Sequence, residues 1–436
     1  MNLTQRVLFS ILALTIFWGC SPPEPGETGS AMSTDAIAEA YVRLALEMGN
    51  HDEAFVDAYY GPEAWREEAA GSASSLESID LRAGELLAAL EADPPSSGAE
   101  EISRLRYDYL TAQLRAMRTR LKLIAGERLS FDEESQALYD AVSPAHSDEY
   151  YQAILDELEP LLPGDGSLQS RFAVFREQFV IPEAKLDAVF RAAIDACRER
   201  TRAAVDLPEE ESFEVEYVTG KSWGAYNWYQ GGFHSLIQVN TGVPIYIDRA
   251  LDLACHEGYP GHHVYNVLLE KRLVRERGWV EFSIYPLFSP QSLIAEGTAN
   301  YGVQIAFPQP ERVAFETDRL FPLAGLDPAQ ADRYYRVLEK LQKLSLAGNE
   351  AARRYLDGRF DAEEAVAYMV HFLLMTPDRA ERRVRFIDDY RSYVINYNLG
   401  QEMVREYIES RAGDDPQRRW QEFTALISSP RLPSGL

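Results

Sequence analysis

The sequence predicts a mainly α-helical protein with one small β-sheet that directly precedes a histidine-rich segment. Apolar residues recur at helical spacing over long stretches, beginning with Ile37, Tyr41, Leu44 and Met48. Strand-like alternation is confined to residues 212–247. The chain has 436 residues, 46% of them hydrophobic, and is therefore long enough to bury a large core.

Helices are expected along most of the chain, separated by prolines and glycines. The first begins near Ser33. Further helices are predicted at about 76–93, 99–125, 132–142, 147–159, 183–204, 253–259, 262–277, 290–306, 328–347, 361–375, 377–397 and 400–412. We expect residues 34–436 to form a single large helical domain, with a subdivision near residue 205 as the alternative.

The predicted sheet is built from short strands. Phe213, Val215 and Tyr217 alternate with glutamates, and Gly231-Gly232 turns the chain into a strand that begins at Phe233. Residues 244–247 continue this β-rich stretch.

The strand from Phe233 to Asn240 is predicted to lie exposed at the sheet edge. Such an edge can bind an extended peptide through backbone hydrogen bonds. His234 and Asn240 on this strand are therefore the predicted substrate contacts. The aromatic residues just upstream would either line the same cleft or fill the core, and they are Trp223, Tyr226, Trp228 and Tyr229.

Charge excludes some classes of partner. A formal net charge of −26 would repel a phosphate backbone and anionic lipid, so we expect no nucleic-acid partner and no electrostatic docking on a membrane. Charged residues make up 26% of the chain, and with the hydrophobic content this is typical of a folded, soluble domain.

Residues 1–20 have the features of a bacterial export signal, because a basic start precedes an apolar stretch too short to span a membrane. Cys20 follows Gly19, as in lipoprotein signals, where this cysteine receives the lipid. Residues 21–33 are rich in Pro, Gly, Ser and Thr, which is typical of a flexible tether. We expect a lipid anchor at Cys20 on the periplasmic side of the cell envelope, with simple secretion as the alternative.

Three cysteines are too few for a disulfide framework. Cys20 belongs to the leader, so the mature chain has at most one pair, Cys197 and Cys255. Cys255 adjoins His256, but adjacent residues of a helix point about 100° apart. Cys255 is therefore expected to be a buried structural thiol and not a metal ligand.

Three of the seven histidines lie in residues 256–263, which read His-Glu-Gly-Tyr-Pro-Gly-His-His. A common zinc-hydrolase motif places histidines at i and i+4 with a glutamate beside the first, but position i+4 from His256 is Pro260. In an unbroken helix His256 and His263 would stand about 10.5 Å apart along the axis. Nitrogen ligands must lie about 2.0–2.1 Å from the same zinc ion, so that arrangement is poor.

Pro260 and Gly261 provide a way to bring two histidines to one zinc ion. Proline prevents an unbroken helix, and glycine adopts backbone angles that other residues resist. A bulge there would remove two residues from the helical register and bring His262 to the metal of His256. Glu257 would remain beside the first ligand as general base. His263 is the alternative second ligand.

A catalytic zinc ion takes three protein ligands and leaves a position for water. The helix that begins after Ser289-Pro290 contains a single acid, Glu296, among small and apolar residues. A buried carboxylate is costly unless it is paired or coordinated. Glu296 is therefore the candidate third ligand, and a partly exposed structural glutamate is the alternative.

The histidine segment and the Glu296 helix together resemble a bacterial family known as domain of unknown function 885, which is grouped with the gluzincin metallopeptidases. The likeness is carried by the His-Glu-x-x-Pro-Gly-His pattern and, in the second helix, by Glu296, Gly297, Ala299 and Tyr301. Thr298 departs from the family, which usually has tryptophan there.

The resemblance implies a multi-helical gluzincin-like body that binds one Zn²⁺ per chain. It implies His256, His262 and Glu296 as the zinc ligands and Glu257 as the catalytic base.

The likeness continues weakly over most of the mature chain. Residues 59–62 (Tyr-Tyr-Gly-Pro) resemble an early family segment, and residues 397–400 (Tyr-Asn-Leu-Gly) resemble a late one. The family's Pro-Gly-Gln before the late tyrosine is replaced by residues 394–396 (Val-Ile-Asn). Peptide hydrolysis needs donors for the developing oxyanion, and Tyr397 and Arg391 are the predicted catalytic donors.

We therefore predict a zinc-dependent metallopeptidase that acts on short peptides. The alternatives are a non-catalytic envelope lipoprotein that keeps the fold as a binding module, and a zinc hydrolase of a non-peptide amide or ester. These features do not encode the oligomeric state.

Overall fold

The computed structural model describes residues 32–221 and 223–436. The predicted export signal, the lipidation site Cys20 and residues 21–31 of the predicted tether lie outside these residues.

Helices make up most of the described chain. The α-helices are α1 (Thr34–Met48), α2 (Glu63–Ala70), α3 (Leu76–Ala92), α4 (Glu101–Ile124), α5 (Phe131–Tyr139), α6 (Asp148–Leu158), α7 (Leu168–Glu177), α8 (Leu186–Arg202), α9 (Ile247–Leu253), α10 (His262–Leu269), α11 (Pro290–Ala306), α12 (Gln309–Phe315), α13 (Phe321–Ala324), α14 (Ala331–Lys343), α15 (Ala347–Leu356), α16 (Ala362–Phe372), α17 (Pro377–Tyr390), α18 (Ile395–Ala412) and α19 (Pro416–Leu426). The strands are β1 (Val56–Tyr59), β2 (Ser212–Val218), β3 (Ala225–Gly231), β4 (His234–Asn240) and β5 (Ile284–Pro286). The predicted class, mainly α with a small sheet just before the histidine segment, is confirmed. Among these described helices, none is both long and apolar enough to cross a membrane.

Several helices begin at a residue whose side chain caps the first turn. Ser33 accepts a hydrogen bond from the amide of Ala36 at the start of α1. Ser130 and Glu133 form a reciprocal capping box on α5, as do Asp361 and Glu364 on α16. The apolar stripe of α1 is buried, including Ile37, Tyr41, Leu44 and Met48.

Some predicted boundaries are wrong. The break predicted between residues 397 and 400 lies earlier, because α17 ends at Tyr390 and Arg391 has a φ of 52° that α-helix does not allow. α18 then runs unbroken from Ile395. The sequence did not predict a helix break at Arg391, because neither proline nor glycine stands there. Ile247 begins α9 and is not the end of a strand.

The three-stranded sheet has the order β2-β4-β3. β4 pairs in parallel with β2, with Ser212 opposite His234, and antiparallel with β3, with Asn227 opposite Ile237. The prediction of an exposed edge at residues 233–240 is therefore wrong, because β4 is the central strand. Alternation in the sequence shows that a strand has two faces, but it does not show which neighbours flank it.

A second, two-stranded sheet joins distant parts of the chain. β1 pairs antiparallel with β5, with Ala58 opposite Tyr285. These short strands were not predicted. The sheet fixes the segment around Asp57 beside the start of α11.

α11 and α18 approach unusually closely, and this contact positions the site described below. A Cβ atom added at Gly297 would lie 2.5 Å from the carbonyl carbon of Gly400. One added at Gly400 would lie 2.8 Å from the carbonyl oxygen of Leu293. Glycine at both positions therefore allows the two helix backbones to touch.

Cys255 is buried, as predicted, but it is not a free thiol. It forms a disulfide with Cys197 of α8, with the two Cα atoms 5.7 Å apart. The pair is separated by 58 residues in sequence, and no local pattern connects them. The bond ties α8 to the turn that carries His256.

Candidate metal centre

The histidine segment begins as the C-terminal continuation of α9. After Leu253 the helix widens into a π-helical turn over Ala254–Gly258, which carries His256 and Glu257. π-Helical turns of this kind are frequent at functional sites. The Tyr259–Pro260 peptide bond is cis, and α10 starts at His262.

The Pro-Gly interruption predicted from the sequence is present. The amide of Gly261 donates to the carbonyl oxygen of Cys255 at 2.9 Å, so the chain folds back on the π-helical turn. A Cβ atom at residue 261 would lie 1.8 Å from the carbonyl oxygen of His256. Only glycine can occupy this position without moving the backbone.

The interruption brings His256 and His262 together. Their ring centroids are 4.7 Å apart, and their ring planes are almost perpendicular. One ligand atom from each of His256, Glu257 and His262 can be chosen so that all lie within 4.8 Å of one another.

Glu296 of α11 completes the cluster. Its Oε2 atom lies 3.5 Å from Nε2 of His256 and 3.8 Å from Nε2 of His262. This oxygen is buried and has no hydrogen-bond partner among the described residues, whereas Oε1 accepts a 2.9 Å hydrogen bond from the hydroxyl of Tyr393.

The two histidines and Glu296 fit a zinc ion. Donors that each lie about 2.0–2.2 Å from a tetrahedral zinc ion are roughly 3.4 Å apart. The observed separations are close to this value, and a cation would satisfy the orphaned carboxylate oxygen.

Asn300 fixes the orientation of His256. Its Nδ2 group donates to the carbonyl oxygen of Tyr397 at 2.9 Å, so its Oδ1 atom faces the imidazole, 3.0 Å from Nδ1 of His256. An amide oxygen only accepts, so Nδ1 carries the proton and Nε2 keeps its lone pair for a metal. Sequence reasoning missed Asn300, although it lies one helical turn after Glu296.

His263 is not free to bind the metal. Its side chain is fully buried, with Nδ1 2.9 Å from the hydroxyl of Ser235 and Nε2 2.9 Å from a carboxylate oxygen of Glu211. Burial lowers the pKa of His263 even though Glu211 opposes the shift. A neutral ring that donates from Nε2 and accepts at Nδ1 satisfies both contacts. The alternative second ligand is therefore a structural residue.

The charges in the centre favour a cation. Burial disfavours a charged imidazole, but Glu296 and Glu257 outweigh it and raise the pKa of His256 to about 9. Burial likewise opposes ionisation of Glu296, yet the two histidines hold its pKa well below the usual range. Among the described residues, neither Glu257 nor Glu296 forms an ion pair with a lysine or arginine, so the two carboxylates attract positive charge to this point.

Tyr397 lies beside the cluster. Its ring is 5.7 Å from that of Tyr393. Burial, followed by the negative charge of Glu296, raises the pKa of Tyr397 well above its ordinary value. The phenol therefore keeps its proton and can donate a hydrogen bond.

Arg391 is not brought to the cluster. Its Nε group donates to Glu134 of α5 at 2.6 Å, and Glu134 also accepts from the amide and hydroxyl of Ser392. This contact stabilises the turn between α17 and α18. Arg391 therefore has a packing role in the structure in place of the predicted catalytic one.

The two predicted substrate contacts have other partners. Nδ1 of His234 lies 3.1 Å from the hydroxyl of Ser212 in the neighbouring strand. Asn240 is buried, and its amide group donates to the carbonyl oxygens of Lys221 and Trp223. Asn240 holds the loop between β2 and β3, and neither residue contacts the cluster.

The outer strand that faces the centre is β3. Asn227 in β3 donates from Nδ2 to the carbonyl oxygen of Glu257 at 2.7 Å. Its neighbour Tyr226 donates from its hydroxyl to Asp57 of β1. Burial, together with the negative charges of Glu296 and Glu257, raises the pKa of Asp57 to about 6. The hydrogen bond from Tyr226 and the charge of His262 oppose this shift. No sequence signal pointed to Asp57, because its proximity depends on pairing between β1 and β5.

The fold and the site thus define a helical protein with a candidate centre of two histidines and two glutamates. No family model matches the chain, and no curated protein matches it. The resemblance to domain of unknown function 885 rests on the motifs alone.

Solved structures give distant matches. A protein assigned as a lipoprotein from Colwellia psychrerythraea is 15% identical, with 81% of this chain and 69% of that chain covered and a TM-score of 0.46. A second, from Shewanella oneidensis and of unknown function, is 14% identical, with coverages of 91% and 82% and a TM-score of 0.43. A carboxypeptidase from Pyrococcus furiosus is 12% identical, with coverages of 92% and 92% and a TM-score of 0.44. Likeness at this level does not assign an activity to this chain.

Proposed function

We propose that the protein is a zinc-dependent hydrolase, and more specifically a metallopeptidase that cleaves short peptides. The observation that carries the proposal is the convergence of His256, His262 and Glu296 around an orphaned carboxylate oxygen, with Glu257 beside them. Two nitrogen ligands and one carboxylate form a common ligand set of catalytic zinc.

When bound, zinc supplies Lewis acidity to a water molecule and to the carbonyl group under attack. The remaining chemistry belongs to the chain. Glu257 is 5% exposed, and Asn227 donates a hydrogen bond to its backbone carbonyl, which holds the main chain at this residue. In this proposal Glu257 accepts the proton of the attacking water and returns it to the leaving amine.

Tyr397 is the proposed donor to the developing oxyanion. Its hydroxyl keeps its proton because burial and the charge of Glu296 oppose ionisation. The carbonyl of the same residue is held by Asn300, which also holds His256, so the donor and the metal ligand are linked through a single side chain.

The proposed location is the periplasmic side of a bacterial envelope, with the chain anchored through Cys20. The export-type leader supports it. The Cys197–Cys255 disulfide also supports it, because disulfides persist in oxidising compartments.

The test compares wild type with Glu257→Gln in a peptide-library digest, with bound zinc measured in both. We expect the variant to retain zinc and lose cleavage, because glutamine keeps the shape but cannot accept a proton. Glu276→Gln at an exposed position is the matched control and should cleave like wild type. Equal cleavage by Glu257→Gln and wild type would exclude Glu257 as the base.

The zinc content of the wild-type protein tests whether the site is a zinc centre. After zinc-supplemented expression, less than about half an equivalent of zinc in wild type would reject the zinc centre. Stoichiometric zinc without cleavage of any peptide would favour the binding module or a hydrolase of another amide or ester.

A further inference from the structure

Two neighbouring arginines of α17 have no acidic partner among the described residues. Arg379 and Arg383 are one helical turn apart, and neither forms an ion pair with a carboxylate of the described residues. The charges that act most strongly on Arg379 are positive and come from Arg176, Arg249 and Arg383.

Both arginines lose part of their hydration to the surrounding protein. The side chain of Arg379 is solvent-exposed, yet burial among protein atoms, together with repulsion from the other arginines, lowers its pKa to about 10. Burial also lowers the pKa of the half-buried Arg383. Both guanidinium groups stay charged at neutral pH.

Arg383 lies near Tyr397, the proposed oxyanion donor. Its guanidinium carbon lies 5.9 Å from the ring centre of Tyr397. Burial and then the negative charge of Glu296 raise the pKa of Tyr397, so this ring lies within the field of the centre. Arg383 is therefore near one of the groups proposed to act in hydrolysis.

The other two arginines already have acidic neighbours. Arg249 pairs with Asp252, and Arg176 lies 3.9 Å from Asp248. Their charges are thereby partly offset, whereas those of Arg379 and Arg383 are not. Grouping like charges is unfavourable, and an anionic ligand between the two arginines would relieve it.

We propose that Arg379 and Arg383 form a subsite that binds a carboxylate of the substrate. The proposal rests on the proposed peptidase function and specifies its substrate class: peptides with a carboxylate a short distance from the cleaved bond. Planar guanidinium groups match a carboxylate through paired hydrogen bonds. The carboxylate belongs either to the peptide C-terminus or to an acidic side chain, and the chemistry of recognition is the same.

The test measures binding separately from cleavage, in zinc-loaded Glu257→Gln protein. Three fluorescently labelled pentapeptides of otherwise neutral sequence are compared by anisotropy. One has a free C-terminal carboxylate, one a C-terminal amide, and one a C-terminal amide with an internal glutamate. We expect at least one carboxylate-bearing peptide to bind at least about tenfold more tightly than the neutral amide, the size of a charge-assisted hydrogen bond. The tighter of the two identifies the source of the carboxylate.

The arginine variants are made in the same background. Arg383→Gln and Arg379→Gln should each remove most of the preference while leaving the affinity for the neutral amide unchanged. Arg382→Gln and Arg385→Gln change exposed arginines of the same helix and should keep the preference. Arg383→Lys retains the charge without the planar fork and should give an intermediate preference, and it replaces Arg383→Gln if circular dichroism shows that variant to be unfolded.

The outcomes separate the two proposals. Equal binding of all three peptides, or a preference that survives Arg379→Gln and the Arg383 variant, would overturn the carboxylate subsite and leave the peptidase proposal standing. An arginine-dependent preference in a protein whose wild type cleaves no peptide would support the subsite and reject the peptidase activity.

Discussion

The orientation of His256 by Asn300 is the contact whose removal gives the sharpest prediction. Asn300→Leu keeps a similar volume but removes the oxygen that lies 3.0 Å from Nδ1 of His256. With no acceptor, the Nδ1–H tautomer that leaves Nε2 free for the metal loses its hydrogen bond at a half-buried position.

The magnitude follows from that lost contact. Leaving a buried donor without a partner costs about 1–3 kcal/mol, which corresponds to roughly 5- to 150-fold in an equilibrium constant. Outer partners of metal-bound histidines show losses of about 10- to 100-fold. We therefore expect the zinc affinity of Asn300→Leu to fall by about one to two orders of magnitude.

The assay is a competition titration against a chromophoric zinc chelator at neutral pH. Asn300→Asp separates the two roles of the side chain, because it keeps the acceptor for His256 but loses the donor to Tyr397. It should bind zinc nearly as tightly as wild type. Tyr301→Phe is the control on the same helix and loses only a long contact to Glu409. Wild-type zinc affinity in Asn300→Leu would refute the reasoning.

Two further predictions concern stability. Gly297→Ala should destabilise the protein by at least about 1–3 kcal/mol, because the added methyl would lie 2.5 Å from the backbone of Gly400. Chemical denaturation measures this loss. In the control Gly348→Ala the methyl would meet only Leu373 at 3.6 Å, so this variant should have wild-type stability. Burial opposes ionisation of Glu211, but hydrogen bonds from His263, Tyr259 and Arg202 outweigh it and lower its pKa from 4.5 to about 2. This carboxylate therefore contributes about 3 kcal/mol above pH 4.5 that is lost as pH falls towards 2. The stability difference between wild type and Glu211→Gln should shrink over that range, and a constant difference would contradict the assignment.

The helices and the central motif could be predicted because their signals are local. The stripe through Ile37, Tyr41 and Leu44 marks a buried helix face, since side chains three and four residues apart share a face. Pro260 and Gly261 showed where the histidine helix must break, because each residue restricts or frees its own backbone angles. Chemistry contained within a few residues therefore favoured His262 as the partner of His256 but left His263 as the alternative.

Contacts between distant segments were decided only by the tertiary structure. His262 and His263 are adjacent and chemically identical, and the choice between them depends on Ser235 and Glu211, which occupy both nitrogens of His263. The central place of β4 depends on which strands flank it, and the break at Arg391 depends on Glu134, more than 250 residues earlier.

The sequence by itself determined the helical class, the interruption at Pro260 and the residue types of the candidate zinc ligands, because propensity, backbone freedom and ligand chemistry are properties of single residues and their near neighbours. The tertiary structure decided which groups surround those ligands. Asn300 and Tyr393 contact the candidate ligands, the charges of the centre act on Asp57, and Arg383 lies near Tyr397. Hydrogen bonds and charges depend on separation in space, and for residues far apart in the chain the packing of helices fixes that separation.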